Sequence, residues 1–302
     1  MLFDVVIVGG GPGGLQAALT LGRARKRVLL CDAGPRRNAA ATHIHNFVTR
    51  DGTPPDEFRA TARAQLAMYP SVEVRDTGVD RITGERNAFD VALGAGSVRA
   101  RRVLLATGMI DEMLPIAGFR EQWGQAVFQC PYCHGWEVRD RRWGFLALPH
   151  NAAHLAPFTL MIRGWSADIT AFTNGAFDVP AEVRAQLAGG GIRLETAAIT
   201  RLVADEGQLT AIELAGSRKI ACDVLFAQPP QHQPELVRAL GVALDDDGFI
   251  KVDPMMRETS VRGIYAAGDG TTRMQAAVAA AASGMQAAAA VNVDLALDRD
   301  PR

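Results

Sequence analysis

Two cysteines separated by two residues are the first candidates for chemistry: Cys130 and Cys133, which are followed by His134. A C-x-x-C spacing lowers the pKa of at least one thiol and lets the pair close to a disulfide with little movement, which suits two-electron thiol exchange. The same letters also fit a haem attachment sequence and half of a zinc site. The other cysteines, Cys31 and Cys222, stand alone in apolar stretches, where structural thiols are expected. The spacing therefore favours redox chemistry, with no metal ligands.

The composition describes a globular protein without a polyanionic partner. The chain has 302 residues, of which 48% are hydrophobic and 22% charged, and its formal net charge is -1. This balance argues against nucleic acid as a partner, and the length suffices for two domains with their own cores. The alanine-rich residues 275–290 lack the bulky apolar side chains of a membrane span, and no basic segment precedes the first apolar run. We therefore expect a cytoplasmic protein without a membrane partner.

The amino-terminal residues have the pattern of a nucleotide-binding turn. Residues 4–8 are a short apolar run with β-branched side chains, which predicts a buried parallel strand, and residues 15–23 predict a helix. Between them lies a G-x-G-x-x-G sequence with a proline: Gly9, Gly11, Pro12 and Gly14. In this pattern one glycine turns the chain, one lets the backbone approach a pyrophosphate, and one packs the helix on the strand. A second predicted strand, residues 27–31, ends at Asp32, where an acidic side chain can bind ribose hydroxyls.

Two more predicted strands end in residues that suit a cofactor. Residues 103–108 read V-L-L-A-T-G, and residues 259–269 read T-S-V-R-G-I-Y-A-A-G-D, which delivers Asp269 at the carboxyl end of a short strand. Together with the glycine turn and the C-x-x-C, these segments resemble, in order and spacing, the low-molecular-weight thioredoxin reductases. That family consists of FAD-dependent pyridine nucleotide-disulfide oxidoreductases, and the resemblance covers nearly the whole chain.

The resemblance implies an α/β fold with two Rossmann-like, three-layer domains. The FAD-binding domain would be discontinuous, with residues 1–113 and 241–302 as its two parts. The domain that carries the dithiol, residues 114–240, would be inserted between them, and both boundaries are flanked by proline or glycine. The family also implies a homodimer.

The same resemblance implies which residues bind FAD. The ADP half would contact the glycine turn and Asp32, and Asp269 would contact the ribityl and pyrophosphate region. Asn46 lies in a loop that reaches the flavin in relatives, although a turn residue without a functional role fits it equally well. Met274 stands where relatives often have an arginine, so one phosphate contact is expected to be missing. The full set for FAD is Gly9, Gly11, Pro12, Gly14, Asp32, Asn46, Thr107, Gly108, Gly268, Asp269, Gln275 and Ala276.

The predicted inserted domain departs from the thioredoxin reductase pattern. The strand predicted at residues 143–148 leads into residues 149–154, P-H-N-A-A-H, with no second glycine fingerprint. In place of the arginine pair that grips the 2'-phosphate of NADPH, the chain has Thr173, Asn174 and Gly175. Each lost charge-assisted hydrogen bond is worth roughly 1.5–3 kcal/mol, so we expect ordinary NADPH binding to be lost. His150 and His154 are interpreted as surface residues.

Residues 130–137, C-P-Y-C-H-G-W-E, look more like one branch of the family, the small-molecule dithiol oxidases that close the disulfides of gliotoxin, holomycin and romidepsin. The resemblance implies that Cys130 and Cys133 oxidise a small-molecule dithiol and that oxygen reoxidises the flavin. His134 is the candidate base, because an imidazole can take a proton from the incoming thiol near neutral pH. Aromatic residues that are candidates for a pocket wall, although such residues more often belong to a core, are Trp123, Tyr132 and Trp136.

Two alternative functions stay open. The first is a disulfide reductase that receives its electrons from NADPH or from another donor. The second is a flavin-binding redox sensor whose dithiol changes the shape of the protein without turnover.

Overall fold

The computed structural model describes residues 1–34, 36–94 and 96–298. Two short 3-10 helices, Pro149–His154 and Asp269–Thr271, lie between the strands and α-helices of the fold. In chain order these are β1 (Leu2–Val8), α1 (Pro12–Arg23), β2 (Val28–Cys31), α2 (Pro55–Leu66), β3 (Val72–Arg75), β4 (Arg81–Thr83), β5 (Phe89–Leu93), β6 (Gly96–Leu105), β7 (Ile110–Asp111), α3 (Phe119–Gln122), β8 (Val127–Phe128), α4 (Pro131–His134), β9 (Trp143–Leu146), α5 (Leu155–Ile162), β10 (Ile169–Phe172), α6 (Ala181–Gly189), β11 (Arg193–Glu195), β12 (Ile199–Asp205), β13 (Gln208–Leu214), β14 (Lys219–Ala221), β15 (Val224–Ala227), β16 (Gln231–His232), α7 (Glu235–Ala239), β17 (Ile264–Ala266) and α8 (Ala277–Leu297).

The chain forms two compact units. The first consists of Met1–Ile110 and Gln231–Arg302, and the second, which we call the inserted unit, is Asp111–Pro230. The sequence places the second domain boundary after residue 240, whereas the structure changes unit at Gln231. The difference is explained by α7, because Val237 is buried in the core of the first unit together with Val6 and Ile264.

A parallel sheet forms the centre of the first unit. Its order is β3-β2-β1-β6, with β17 also paired to β6, and β5 and β4 extend it in the antiparallel sense. Val5, Val6 and Ile7 of β1 are fully buried, as expected for a parallel strand covered on both faces. The strands predicted from the first apolar runs are therefore confirmed.

The alanine-rich helix α8 packs against α1 on one face of this sheet. Small residues allow the two helices to approach closely, and a Cβ at Gly284 of α8 would overlap the carbonyl oxygen of Gly13 in α1. Ala287, Ala288 and Val291 are buried in the same core cluster as α1. Among the described residues, no helix is both long and apolar enough to cross a membrane.

A buried arginine joins the sheet of the first unit to the end of α8. Arg102 of β6 has no exposed surface, and its guanidinium forms ion pairs with Asp294 and with Asp298, the latter at 2.7 Å. It also donates a hydrogen bond to Asn87 Oδ1 at 2.6 Å. These three side chains and the Arg101 carbonyl oxygen therefore compensate the cost of burying this cation.

The inserted unit is built on a second parallel sheet, of order β11-β10-β9-β15-β8. Trp143, Phe145 and Phe226 pack in its core, with a ring distance of 4.6 Å between Trp143 and Phe226. An antiparallel sheet of β12, β13 and β14 belongs to the same unit. The α/β class and the discontinuous first unit thus agree with the fold predicted from the sequence.

Candidate functional site

The dithiol lies at the start of a short helix of the inserted unit. Cys130 and Cys133 form a disulfide, and their Cα atoms are 5.3 Å apart. Strand β8 leads into Cys130, which is extended and caps α4, and the N–H of Cys133 donates to the carbonyl of Cys130 at 3.2 Å. Pro131 occupies the first position of α4, where its missing N–H costs no helical hydrogen bond. The local backbone therefore sets the two cysteine residues one helical turn apart, close enough for their sulfurs to bond.

His134 is held by an aromatic contact beside this disulfide. Its imidazole stacks on Phe128 of β8, with ring centroids 4.4 Å apart and planes 14° from parallel. Both ring nitrogens are buried. The residue thus follows Cys133 directly in α4, in a fixed orientation on the core side of the helix.

The predicted aromatic wall divides into exposed and core residues. Tyr132 is 58% exposed and Trp136 is 66% exposed, whereas Trp123 packs against the core of the inserted unit and stacks on Phe119 at 5.9 Å. Tyr132 is braced by an edge-on contact with Trp165 at 5.4 Å. Tyr132 and Trp136 therefore present apolar surface to solvent beside the dithiol, and Trp123 is a core residue.

The remaining cysteines are buried thiols, as the sequence predicts. Burial raises the pKa of Cys222 to about 12 and that of Cys31 to about 11. Both therefore stay protonated and unreactive at neutral pH. Within the described residues, no group of three or more histidine, cysteine or acidic side chains is placed to hold a metal ion.

The glycine turn of the first unit has the backbone that its sequence predicts. Gly9 has φ of +107°, and a Cβ there would overlap the carbonyl oxygen of Ala106. A Cβ at Gly14 would overlap the carbonyl oxygen of Gly9, whereas a Cβ at Gly11 would meet no atom within 4 Å. Pro12 begins α1, whose first N–H groups point out of the turn. Gly9 and Gly14 are thus required by close packing inside the protein, and Gly11 borders open space.

Asp32 and Thr107 lie at the carboxyl ends of the neighbouring strands. Asp32 follows β2 and is buried, and its carboxylate accepts a hydrogen bond from the Gly34 N–H at 3.1 Å and pairs with Arg59 of α2. The hydroxyl of Thr107 is buried and has no hydrogen-bond partner within residues 1–34, 36–94 and 96–298. Buried polar atoms normally have partners, so this hydroxyl fits a site for a bound polar group.

These features fit a dinucleotide. The turn provides unfilled space at Gly11, a helix N-terminus for phosphates, a buried acid for a ribose and a buried hydroxyl that lacks a partner. The structure thus brings together five of the predicted residues at one end of the parallel sheet: Gly9, Gly11, Gly14, Asp32 and Thr107.

A second group of predicted residues lies where β17 leads towards α8. Gly268 has φ of +79° and its N–H donates to Ser283 Oγ at 2.8 Å, and Asp269 begins the following 3-10 helix. Ala276 caps α8 with an extended backbone, and Gln275 precedes it. The sequence reasoning missed two side chains that contact this group, Arg37 and Gln231. No spacing rule could find Arg37, which is 232 positions from its partner Asp269.

Asn46 occupies a left-handed turn in an exposed loop between β2 and α2. Its φ is +61°, and its N–H donates to Asp51 Oδ1 at 2.8 Å. His45 lies 3.5 Å from the same carboxylate, and His43 is exposed. The interpretation of Asn46 as a turn residue therefore has direct support, and its contact with a flavin stays a prediction.

The inserted unit has no glycine turn where β9 leads to its next helix. The 3-10 helix Pro149–His154 occupies this position, and Asn151 is buried inside it with Oδ1 accepting from the Leu148 N–H at 2.7 Å. The amide nitrogen of Asn151 lies 3.5 Å from Oε1 of Gln228, which follows β15. Since β9 and β15 flank the point where the strand order reverses, these two amides lie where an open α/β sheet binds its nucleotide.

The residues that follow β10 are also engaged in contacts within the protein. The side chain of Asn174 accepts a hydrogen bond from the Ile199 N–H at 2.6 Å, and Thr173 is fully buried. Neither residue carries the positive charge that a 2'-phosphate requires. His150 and His154 are exposed, as predicted.

Known proteins resemble this chain over nearly its whole length. A model of the pyridine nucleotide-disulphide oxidoreductase family matches residues 3–152 and 176–284. Thioredoxin reductase tcpT of Claviceps purpurea is 34% identical over 281 residues, which cover 89% of this chain and 86% of that protein. A solved oxidoreductase from Agrobacterium tumefaciens is 39% identical with a TM-score of 0.91, over 99% of this chain and 100% of that one. The crystal structure of HlmI is 37% identical with a TM-score of 0.88, over 98% and 94% of the two chains.

These similarities span both units and include the glycine turn and the dithiol. Family membership implies a flavin, which agrees with the fit of the glycine turn to a dinucleotide. The resemblance inferred from the sequence is thereby confirmed. The chain belongs to the pyridine nucleotide-disulphide oxidoreductase family, and with its Cys130–Cys133 pair it is a thiol–disulfide oxidoreductase of the thioredoxin reductase-like type.

Proposed function

We propose that this oxidoreductase converts a small-molecule dithiol to a disulfide, with FAD as its flavin and oxygen as the final electron acceptor. The observation that carries the proposal is a contrast inside the inserted unit. The Cys130–Cys133 pair is retained at the start of α4, whereas the 3-10 helix Pro149–His154 stands where a nicotinamide nucleotide would bind. A flavoenzyme with a redox dithiol but no nicotinamide donor needs another electron partner, and oxygen accepts electrons from reduced flavins.

The closed turn supports the loss of the nicotinamide site on physical grounds. Pro149 has no N–H to offer a phosphate, and the Leu148 N–H is already bonded to Asn151. Opening the turn would leave that buried N–H without a partner, which costs about 1–3 kcal/mol before any ligand contact is made. NADPH would therefore have to displace protein hydrogen bonds without gaining a cation for its 2'-phosphate.

The thiol chemistry follows from the cysteine pair. A substrate thiolate attacks Sγ of Cys130, the bond to Cys133 breaks, and Cys133 leaves as a thiolate. The second substrate thiolate attacks the substrate sulfur of the mixed disulfide, which forms the product disulfide and releases Cys130. The pair now holds two electrons, which it gives up when its own disulfide closes again. FAD, when bound, would accept these two electrons, and oxygen would take them up with the two protons of the substrate thiols as hydrogen peroxide.

His134 acts as the general base and general acid of this thiol exchange. Its imidazole takes the proton of the incoming thiol and returns it to the thiolate that leaves. The stacking contact with Phe128 fixes the ring, so the proton acceptor keeps one position beside Cys133.

The residues that would hold FAD come from the first unit. The glycine turn and the N-terminus of α1 would bind the pyrophosphate, and Asp32 would bind the adenosine ribose. Thr107 would gain a hydrogen-bond partner. The other assigned positions are Asn46, Gly108, Gly268, Asp269, Gln275 and Ala276. A homodimer is proposed from the family alone.

Oxygen consumption tests the proposal directly. The purified flavoprotein is mixed with reduced small dithiols in air-saturated buffer, and oxygen, hydrogen peroxide and disulfide are measured together. We expect one oxygen consumed and one peroxide formed per disulfide. Cys130→Ser and Cys133→Ser should abolish turnover while the visible flavin spectrum remains, because each removes one sulfur of the pair.

A matched control is Cys222→Ala, which removes a buried thiol of the same unit and should leave turnover intact. The proposal is wrong if anaerobic NADPH bleaches the flavin within seconds at a rate that supports turnover. It is also wrong if no dithiol consumes oxygen although the protein is yellow and its disulfide is reducible.

A disulfide reductase is the second candidate, because a relative such as tcpT carries the name thioredoxin reductase. In that case the electrons run from the flavin to the dithiol and on to a disulfide substrate. Anaerobic reduction of the flavin by NADPH or by a second redox protein, followed by reduction of a disulfide, would establish this direction.

A further inference from the structure

A single arginine contacts two of the residues assigned to the flavin in the first unit. Arg37 lies in the loop after β2, and its Nη1 atom is 3.3 Å from Oδ2 of Asp269 and 2.5 Å from Oε1 of Gln275. Side chains of Arg37 and Asp269 are about three-quarters buried, at 23% and 26% exposed. The ion pair is therefore shielded from solvent on most sides, where a charge acts more strongly than at the surface.

The contacts fix the orientation of the Gln275 amide. A guanidinium has donors only, so the atom facing Arg37 must be the amide oxygen. The Gln275 nitrogen then donates to Gln231 Oε1 at 2.8 Å, and the Gln231 nitrogen donates back to Gln275 Oε1 at 3.1 Å. The Gln275 nitrogen also lies 3.4 Å from the carbonyl oxygen of Asp269.

This network engages the whole Gln275 amide with protein groups. Its oxygen accepts two hydrogen bonds and its nitrogen faces two acceptors, which exhausts the capacity of the group. The Gln275 side chain therefore braces the start of α8, and Arg37 is the member of the network that carries charge. The neighbouring cation Arg273 does not join this network through its ion pair, which is with Asp247 at 2.5 Å.

Charge balance gives Arg37 a role beyond bracing. A carboxylate at Asp269 repels an anionic pyrophosphate, and this repulsion grows as water is displaced. A guanidinium bound to that carboxylate cancels its charge and keeps its fork in a fixed direction. The exposed Met274 cannot supply such a charge.

We propose that Arg37 is a positioning residue of the flavin site: it neutralises Asp269 and holds the Asp269–Gln275 segment for the pyrophosphate and ribityl part of FAD. This inference rests on FAD as the flavin in the proposed function. It adds a residue from the loop after β2 to a group of residues around β17 and α8.

Titration of apoprotein with FAD tests the role of Arg37. We compare the wild type with Arg37→Gln, Arg37→Lys and the control Arg36→Gln. Arg36 is adjacent in sequence but pairs with the exposed Asp56. Binding is followed by quenching of flavin fluorescence. Arg37→Gln should raise the dissociation constant of FAD about tenfold to a hundredfold, because the Asp269 carboxylate would then repel the pyrophosphate without compensation. Arg37→Lys should recover part of this loss because it keeps the charge without the fork.

A second measurement separates cofactor binding from bracing. Thermal unfolding is recorded for each variant with and without FAD. We expect Arg37→Gln to lose more stability in the FAD-bound form than in the apoprotein, where only its contacts with Asp269 and Gln275 are lost. Equal losses in the apo and FAD-bound forms, or a dissociation constant within about twofold of both wild type and Arg36→Gln, would overturn the assignment. Failure of the wild-type apoprotein to bind FAD would instead overturn the cofactor in the proposed function.

Discussion

The two parallel sheets differ at the turn where each passes to its first long helix. In the first unit, β1 reaches α1 through glycines that approach neighbouring backbone closely, and the space beside Gly11 stays open. In the inserted unit, β9 reaches α5 through the 3-10 helix Pro149–His154, and the Asn151 side chain fills the turn. The glycine turn has space for a phosphate, whereas the turn after β9 is closed by a hydrogen bond between its own residues.

The two units therefore share a parallel sheet but differ in the turn that could bind a nucleotide. The inserted unit has five parallel strands and an aromatic core of its own. Its remaining chemistry is at the dithiol, which belongs to α4 and not to the turn. The thiols and the nucleotide turn are therefore separable parts of the same unit.

The glycine turn gives the largest expected effect. Gly14→Ala would place a Cβ onto the carbonyl oxygen of Gly9, and because that atom is backbone it cannot move aside as a flexible side chain would. We expect more than about 4 kcal/mol of lost stability in the first unit and no retention of FAD. Purification of a colourless protein, with the unfolding midpoint in urea, measures both effects.

The inserted unit provides an internal control for this variant. All four tryptophans of the chain, at positions 123, 136, 143 and 165, lie in that unit, so their fluorescence reports on it. Tryptophan fluorescence of folded protein should persist in Gly14→Ala at urea concentrations that unfold the first unit. A yellow, fully stable Gly14→Ala protein would show that the close packing at Gly9 is not required.

The buried Arg102 cluster gives the next effect, which depends on pH. Burial raises the pKa of Asp294, but hydrogen bonds from Arg102 and Arg86 outweigh it and hold that pKa below the ordinary value. The folded first unit thus binds protons less readily than the unfolded chain, and it should lose stability as the pH falls through and below about 3.9. Arg102→Met should cost about 3 kcal/mol at neutral pH and should flatten this acid dependence.

Flavin release measured against pH checks this expectation, with tryptophan fluorescence recorded in parallel for the inserted unit. Exposed Arg99→Met on the same strand is the matched control and should behave as the wild type. An acid profile of Arg102→Met that parallels the wild type would remove the assigned role of the cluster.

The sequence predicts the positions of the glycine turn and of the dithiol because both depend on short-range patterns. An apolar strand followed by glycines, and a C-x-x-C, are local signals that the structure reproduces at Gly9 and at Cys130. The second domain boundary depends on where α7 packs, which is a tertiary choice that glycine and proline spacing does not record. The contact of Arg37 with Gln275 joins residues 238 positions apart, so no local pattern encodes it.

Gly11 sharpens the comparison because it separates folding from cofactor binding. A Cβ at this position meets no protein atom within 4 Å, and its φ of -75° suits alanine. Gly11→Ala should therefore leave the apoprotein as stable as the wild type and should raise the FAD dissociation constant about tenfold, because the methyl group fills space needed by the pyrophosphate. Fluorescence titration of apoprotein with FAD measures this change, and unchanged affinity would place the pyrophosphate elsewhere.

Asn151 gives the smallest effect and tests the other turn. Asn151→Ala removes the acceptor of the Leu148 N–H and should cost the inserted unit about 1 kcal/mol, seen by tryptophan fluorescence in urea. The control His150→Ala changes an exposed neighbour and should cost nothing measurable. FAD affinity should be unchanged in both variants. NADPH should still fail to reduce the flavin, because Asn174 remains bonded to Ile199 and no cation is present there for the 2'-phosphate. If Asn151→Ala alone permitted reduction of the flavin by NADPH, the Asn151 side chain would be blocking an otherwise intact nicotinamide site. The two turns would then differ by one blocking side chain, and the capacity to bind a nucleotide would not have been lost.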